Sequence, residues 1–480
     1  MAAGIRAQAR DGIWFRAAAV AVVGLAIALR LRGLSSWSFW LDEAMQVDYV
    51  RRGFGEMWRA LVLDRVHPPL DYVVGWLWYR VSSEEGWLRL LPVVWSAGTV
   101  VALLVRSGGG AAPARSLAAA GAFATFPLAV VLGQELRPYA AALFFAAAFD
   151  AARSRHASAP SPGRHAAVVA LGVLAGWTLY WAGLFVLFSF GVDLVRAAAA
   201  RDRSGATRTL GALAVTLLLW APWPILVARA ATPDRAPSAP APTPELVLRF
   251  LGGLVADRQE DVKQPVVAAV LGLVLLFGVL LGPRGERART AAELTAFSVG
   301  SLVALQLTGH WWALRYLSLA LLPASRAVGF AVERAARTRG RSPWVGLAAV
   351  GVLCLLQKSA LDDAARWARP DWRRPADYLA FLERSGRGGP VVAADAWAYF
   401  ALRAQLGRRS PPTDVGLEPS AGALEAWMRR IGEGWVVRAP RFGAPADVDA
   451  VLAAESAWGR FPDADDCRVY RVEAGRIVTP

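Results

Sequence analysis

A chain of 480 residues that is 55% hydrophobic, 19% charged and +0.36 in mean hydropathy is too apolar for a soluble protein of this length. The formal charge of +15 does not indicate nucleic-acid binding. Nearly all the basic residues are Arg, with Lys only at Lys263 and Lys358, and much of the excess falls in short loops between apolar runs, as the positive-inside rule requires.

In chain order, a short basic start (Arg6, Arg10, Arg16) precedes an uncleaved first span, about Ile13 to Leu34. An outer loop, residues 35–87, follows. Its Trp37 and Trp40 suit the headgroup level, and Asp42 to Arg52 and Phe54 to Leu63 read as short helices lying on the membrane. Leu70 to Val81 is too short to cross and reads as an interfacial or re-entrant helix. Further spans are expected at Leu88–Val105, Ser116–Leu132, Ala140–Ala152, Ala166–Tyr180, Trp181–Val195, Leu210–Ala228, Val266–Leu281, Ala291–Leu307, Leu317–Val332 and Trp344–Leu356. Thr232 to Pro244 is a Pro/Ala-rich loop, and Asp257 to Lys263 a charged outer segment. The sum is an α-helical polytopic membrane protein of about 11 transmembrane helices, residues 1–361, with its N-terminus inside. Predicted inner loops are Arg-rich and nearly free of acids, and outer loops hold the acids.

From about Asp362 the chain reads as soluble and outside. Trp372–Arg384, Trp397–Leu406 and Ala446–Glu455 are expected helices; Pro390–Ala394, Trp435–Val437 and Cys467–Val472 are expected strands. Their alternation predicts a small α/β domain over residues 362–480. Cys354 and Cys467 are too differently placed to pair.

Chemistry-bearing residues gather on the outer face. Asp42 and Glu43, adjacent and just past a span, suit a general base with a raised pKa; the same pair also suits an N-cap and first-turn acid of the following helix. His67-Pro68-Pro69 reads as a rigid turn. Of four histidines, His67 and His310 fall outside and His156 and His165 inside. Acids with two histidines fit a divalent metal in residue type, with Glu43, His67 and Glu135 as candidates, but without a known ligand spacing. Glu135, Arg137, Arg315 and Tyr316 lie in outer turns, and Arg89 opens the second span. They read either as helix-end side chains reaching water or as a phosphate grip, because the planar guanidinium donates paired hydrogen bonds.

The order and spacing of Leu41-Asp42-Glu43, Asp64-x-x-His67-Pro68-Pro69-Leu70-x-Tyr72, Leu88-Arg89-Leu90-Leu91-Pro92, Gln134-Glu135-x-Arg137-x-Tyr139 and Arg315-Tyr316 with Pro323 resembles the C-type (GT-C) integral-membrane glycosyltransferases. The nearer resemblance is to the bacterial family 39 branch, related to protein O-mannosyltransferases and aminoarabinose transferases. Asp71 departs from it, standing where the family often has an aromatic. The resemblance is strongest from Ile13 to Tyr139 and weak in the C-terminal domain.

It implies a GT-C-like fold in the bacterial cytoplasmic membrane and inverting sugar transfer from a polyprenyl-phosphate donor to an envelope lipid, glycan or protein. Asp42, Glu43 and Glu135 are then the catalytic candidates, and His67, Arg89, Arg137, Tyr139, His310, Arg315 and Tyr316 the substrate-binding ones. A divalent metal is the one cofactor left open. The rival reading is a transporter or lipid flippase of envelope precursors, which needs charges or broken helices at mid-membrane. The expected spans hold few acids, and the exceptions, Asp150 and Asp193, sit near inner helix ends.

Overall fold

A computed structural model describes residues 2–480 except 230–264, 309–312, 336–341, 367–369, 408–414, 440–447, 449–450, 453–456, 465 and 479–480. The Pro/Ala-rich loop, the charged segment Asp257 to Lys263, His310 and most of the expected helix Ala446–Glu455 lie outside the described residues.

The chain divides into two compact units. The first comprises Met1–Arg32, Trp58–Val74 and Arg89–Arg366; the second comprises Gly33–Met57, Gly75–Leu88 and Trp367–Pro480. This division differs from a single cut near residue 361, because two pieces of the first loop group with the C-terminal residues.

The first unit is helical. Each expected span falls on a helix or on two consecutive helical pieces. Among the described residues six helices start on a proline: Pro113, Pro127, Pro162, Pro222, Pro265 and Pro343. Proline favours the first helical position, where its missing N–H costs nothing. Among the described residues four helices are long and apolar enough to cross a bilayer: Gly12–Leu31, Glu85–Arg106, Tyr180–Ala199 and Arg203–Arg229. Pro343–Leu356 with Lys358–Ala364, bent by 63°, makes up to five. The others fall short for identifiable reasons. Ser116–Leu132 is split at Phe126 into Pro113–Thr125 and Pro127–Leu132. Tyr139–Ser158 and Arg284–Thr308 carry several charges.

Pro113–Thr125 is the hub, packing on Leu321–Ala335, Pro343–Leu356 and Ala2–Leu31. Ala118, Ala119, Ala120, Ala122 and Ala124 are wholly buried. Small residues bring backbones close where lipid supplies no hydrophobic drive. A Cβ on Gly346 would stand 3.0 Å from the Ala114 carbonyl oxygen, so the helix pair needs glycine there.

The split at Phe126 has a specific stitch. Pro127 cannot donate to the Phe123 carbonyl one turn back. Arg30, wholly buried near the end of the first helix, supplies donors instead. Its guanidinium reaches the carbonyls of Ala124 (2.9 Å), Phe123 (3.4 Å) and Ala26 (3.1 Å), and its Nε donates to the Ser96 hydroxyl at 2.5 Å.

The second unit holds a six-stranded sheet in the order β2-β1-β3-β5-β4, with β6 on β5. The strands are β1 Val391–Ala393, β2 Val415–Leu417, β3 Gly434–Arg438, β4 Gly459–Phe461, β5 Cys467–Glu473 and β6 Arg476–Val478. β1 runs parallel to β2 and β3; β5 runs antiparallel to β3, β4 and β6. Alternate residues feed two cores, Val391, Ala393, Trp435 and Val437 in one and Val392, Ala394 and Val436 in the other. Expected elements from Trp372 to Leu406 and at β3 and β5 are present; β2, β4, β6 and the helix Ala421–Ile431 were not anticipated. Both cysteines are free thiols.

The helix Leu41–Arg51, expected to lie on the membrane, buries Ala44, Val47 and Val50 and packs on Ala396–Leu406. Asp48 is fully buried between Arg51 (2.9 Å), Arg52 and Arg403 (3.4 Å). Glu85 accepts from Gln405 at 2.6 Å and from Arg373, and the Ser38 hydroxyl bridges the Trp372 N–H and the Pro370 carbonyl, both at 2.8 Å.

Candidate functional site

In the first unit the turn between Pro127–Leu132 and Tyr139–Ser158 is built onto the end of the first helix. The Gln134 amide donates to the carbonyls of Arg30 (3.1 Å) and Arg32 (2.9 Å). Those carbonyls lie past the last intrahelical bonds and need outside donors. Gly133 leaves the room Arg30 occupies: a Cβ there would meet its Nε at 2.7 Å. The turn is pinned, so Glu135, Arg137 and Tyr139 are held in place, and all three are buried.

Arg137 points at His67, with its terminal nitrogen 2.7 Å from His67 Nε2. The imidazole is buried, stacked on Tyr72 with centroids 6.5 Å apart and edge-on to Tyr139 at 6.2 Å. Burial, then the charges of Arg137 and Arg315, hold its pKa well below the usual 6.5. A neutral ring accepts from Arg137 at Nε2 and carries its proton on Nδ1, which is buried without a hydrogen-bond partner.

Arg315 sits in the 3-10 segment Leu314–Ala320, close enough for its charge to act on His67. Tyr316 stacks on Trp181 at 5.4 Å. Arg89 is fully buried near the start of Glu85–Arg106, and Asp71, the departure from the resemblance, is buried as well. Thus His67, Arg137 and Tyr139 meet directly and Arg315 reaches them through its field. Asp42 and Glu43 belong to the second unit. Glu43 is fully buried there and accepts from the Trp40 N–H at 3.4 Å, the reciprocal half of a capping arrangement. Asp42 is partly exposed.

His67 does not fit a divalent metal through Nε2, because a guanidinium occupies that lone pair. Among the described residues no three His, Cys, Asp or Glu side chains gather as a metal set. What the arrangement can do is hold an anion: Arg137 and Arg315 bring two guanidinium groups to a neutral histidine.

At the far end of the same bundle lies an ion cluster that the sequence does not assemble. Asp150 pairs with Arg106 (2.9 Å), Arg153 (2.9 Å) and Arg326 (3.2 Å). Glu293 pairs with Arg153, Arg326 and Arg289 (3.1 Å), and Arg153 reaches Asp193 at 3.2 Å. Glu286 joins Arg106 at 3.0 Å. Four arginines meet four acids. This balance is what lets charges sit buried, and it makes the cluster structural.

The sequence matches no protein-family model and no curated protein. Solved structures do match in shape. ArnT from Cupriavidus metallidurans bound to undecaprenyl phosphate aligns at TM-score 0.62 and 14% identity, over 95% of this chain and 98% of that one. Its apo state aligns at 0.59 over the same shares, also at 14% identity. Arabinofuranosyltransferase AftD from Mycobacteria aligns at 0.53 and 15% identity, over 96% of this chain and 40% of that one. The chain therefore has the fold that the GT-C resemblance implied.

Proposed function

We propose that the protein transfers a sugar from a polyprenyl-phosphate-linked donor to an envelope lipid, glycan or protein acceptor at the outer face of the bacterial cytoplasmic membrane. The buried Arg137–His67 contact beside Arg315 carries this reading, as a preformed anion grip in a fold shared with a structure that holds undecaprenyl phosphate. Arg137 and Arg315, with Arg89, bind the donor phosphate. His67 fixes the angle of Arg137 by accepting one of its hydrogens, and Tyr139 and Tyr72 fix the ring. Preorganised charge stabilises the phosphate most as it gains charge on leaving.

The chemistry is a single displacement. An acceptor hydroxyl oxygen attacks the anomeric carbon, and its proton passes to a carboxylate of the first loop. The bond from that carbon to the phosphate oxygen breaks, its electron pair leaves on the phosphate, and polyprenyl phosphate departs. The transition state is oxocarbenium-like and configuration inverts. Between the two adjacent acids, Asp42 is the better base, since Glu43 is buried and used as a cap. Glu135, Tyr316 and His310 are assigned to orienting the acceptor and donor sugar. No step is routed through a metal.

The test is transfer of a radiolabelled sugar from a polyprenyl-phosphate donor by purified protein in nanodiscs. Asp42→Asn is expected to lower the rate at least about a hundredfold, the lower end of what a general base contributes, with folding intact. Glu43→Gln is expected to lower the melting temperature more than the rate per folded molecule. Full activity of Asp42→Asn would overturn the base assignment; lipid translocation without sugar transfer would favour the transporter reading.

A further inference from the structure

Tyr139–Ser158 runs from the His67 cluster to a second charged region, with His156 about 25 Å along the helix from Tyr139. There the ends of Tyr139–Ser158, Pro162–Thr178, Tyr180–Ala199 and Arg203–Trp220 enclose a cleft of about 270 Å³. Its floor is Arg153, Arg289 and Asp193, which belong to the balanced ion cluster. Its walls are His156, His165, Arg196 and Arg208. The remaining acid, Asp202, is consumed as a helix cap, accepting from the Gly205 N–H at 2.8 Å. Among the described residues the one side-chain hydrogen bond of Arg208 goes to the Ser204 hydroxyl, at 2.6 Å, and Arg196 forms no side-chain hydrogen bond or ion pair.

A second observation points the same way. His156 is half-buried, both its ring nitrogens are covered without a hydrogen-bond partner among the described residues, and the ring lies 5.4 Å from that of His165. Buried polar atoms of this kind call for an acceptor or donor that the protein itself does not supply. The charged groups that act on His156 are His165, Arg208 and Arg164.

We propose that this cleft is a binding site for a phosphate group, separate from the anion grip at His67. Arg196 and Arg208, both lining the cleft, donate to it, and His156 and His165 complete the donors around a tetrahedral anion. The space is smaller than the roughly 300–1,000 Å³ of drug-sized pockets, so it takes a headgroup or a small phosphate compound and leaves any chain or nucleoside outside. The source is either the headgroup of an anionic lipid or a free phosphate or diphosphate.

The test uses the full chain in phosphatidylcholine nanodiscs, with binding rather than transfer as the readout. Its result is therefore independent of the sugar-transfer reading. One arm titrates inorganic pyrophosphate calorimetrically; the other counts phosphatidic acid molecules retained by native mass spectrometry. Saturable one-to-one binding is expected in one arm, weakened at least tenfold in Arg196→Ala/Arg208→Ala and unchanged in Arg334→Ala, an exposed arginine that does not line the cleft. Retention of lipid alone identifies a headgroup, and pyrophosphate alone a soluble phosphate. His156→Ala, which leaves the arginines in place, is expected to weaken the same arm and serves if the double variant does not fold. Absence of binding in both arms, or equal binding by the double variant and the wild type, overturns the proposal.

Discussion

His67 shows how one side chain is tuned by its setting. An exposed histidine ahead of two prolines would titrate near its usual 6.5; this one is buried beside two guanidinium groups and stays neutral well below that value. The unfolded chain then takes up the proton first as the medium is acidified. Stability linked to His67 is thus fully present above pH 6.5 and is lost as pH falls below it toward the depressed folded value. The melting temperature of the wild type is expected to drop more between pH 7 and pH 5 than that of His67→Gln. The variant's amide oxygen still accepts from Arg137 but has no proton to gain. Equal slopes in the two proteins would show that His67 is not the depressed group. The same histidine illustrates what sequence conveys at this scale. Its residue type and its turn were legible, but Arg137 lies 70 positions away and the pairing is a product of the fold.

At the scale of elements, long apolar runs and prolines marked the helices well, because burial and the missing N–H act locally. Partners were not marked. Ser116 to Leu132 reads as one span although Pro127 stands inside it, and nothing in the sequence singles out Arg30. Arg30 reaches the Phe123 and Ala124 carbonyls beside that break across 93 and 94 positions. If Arg30 serves the carbonyls that the break at Pro127 exposes, the two residues are energetically coupled. Arg30→Ala alone is expected to cost about 2–4 kcal/mol, since buried hydrogen bonds to a charged group are worth about 1.5–3 kcal/mol and a freed carbonyl adds its own desolvation. In the Pro127→Ala background the same change is expected to cost less by at least about 1 kcal/mol, because the restored N–H serves Phe123. A double-mutant cycle from denaturant unfolding in mixed micelles measures that difference, and additivity within about 0.3 kcal/mol would exclude the coupling.

At the scale of the whole molecule, the grouping of the first loop with the C-terminal residues changes what the C-terminal domain is for. Composition separates residues 362–480 from the apolar region, and on that basis the domain reads as an appendage. The packing of Leu41–Arg51 on Ala396–Leu406 makes it part of the scaffold of the first loop. Asp48 depends on it, since Arg403 is one of its three partners, and Glu85 depends on Gln405 and Arg373. A chain ending at Arg366 would leave Asp48 and Glu85 short of cations and expose Ala44, Val47 and Val50. Charges stripped of buried partners cost several kcal/mol each unless water replaces them. Such a truncated protein is expected to insert and keep its helical content, while the segment 33–57 becomes accessible to trypsin at Arg51 and Arg52. Co-expression of residues 367–480 as a separate chain is expected to restore protection if the interface alone holds the loop. Protection of those arginines in the truncated chain would show that the loop folds without the domain. If Asp42 of that helix is the base, as proposed, the sugar-transfer rate is expected to fall and recover in parallel with protection.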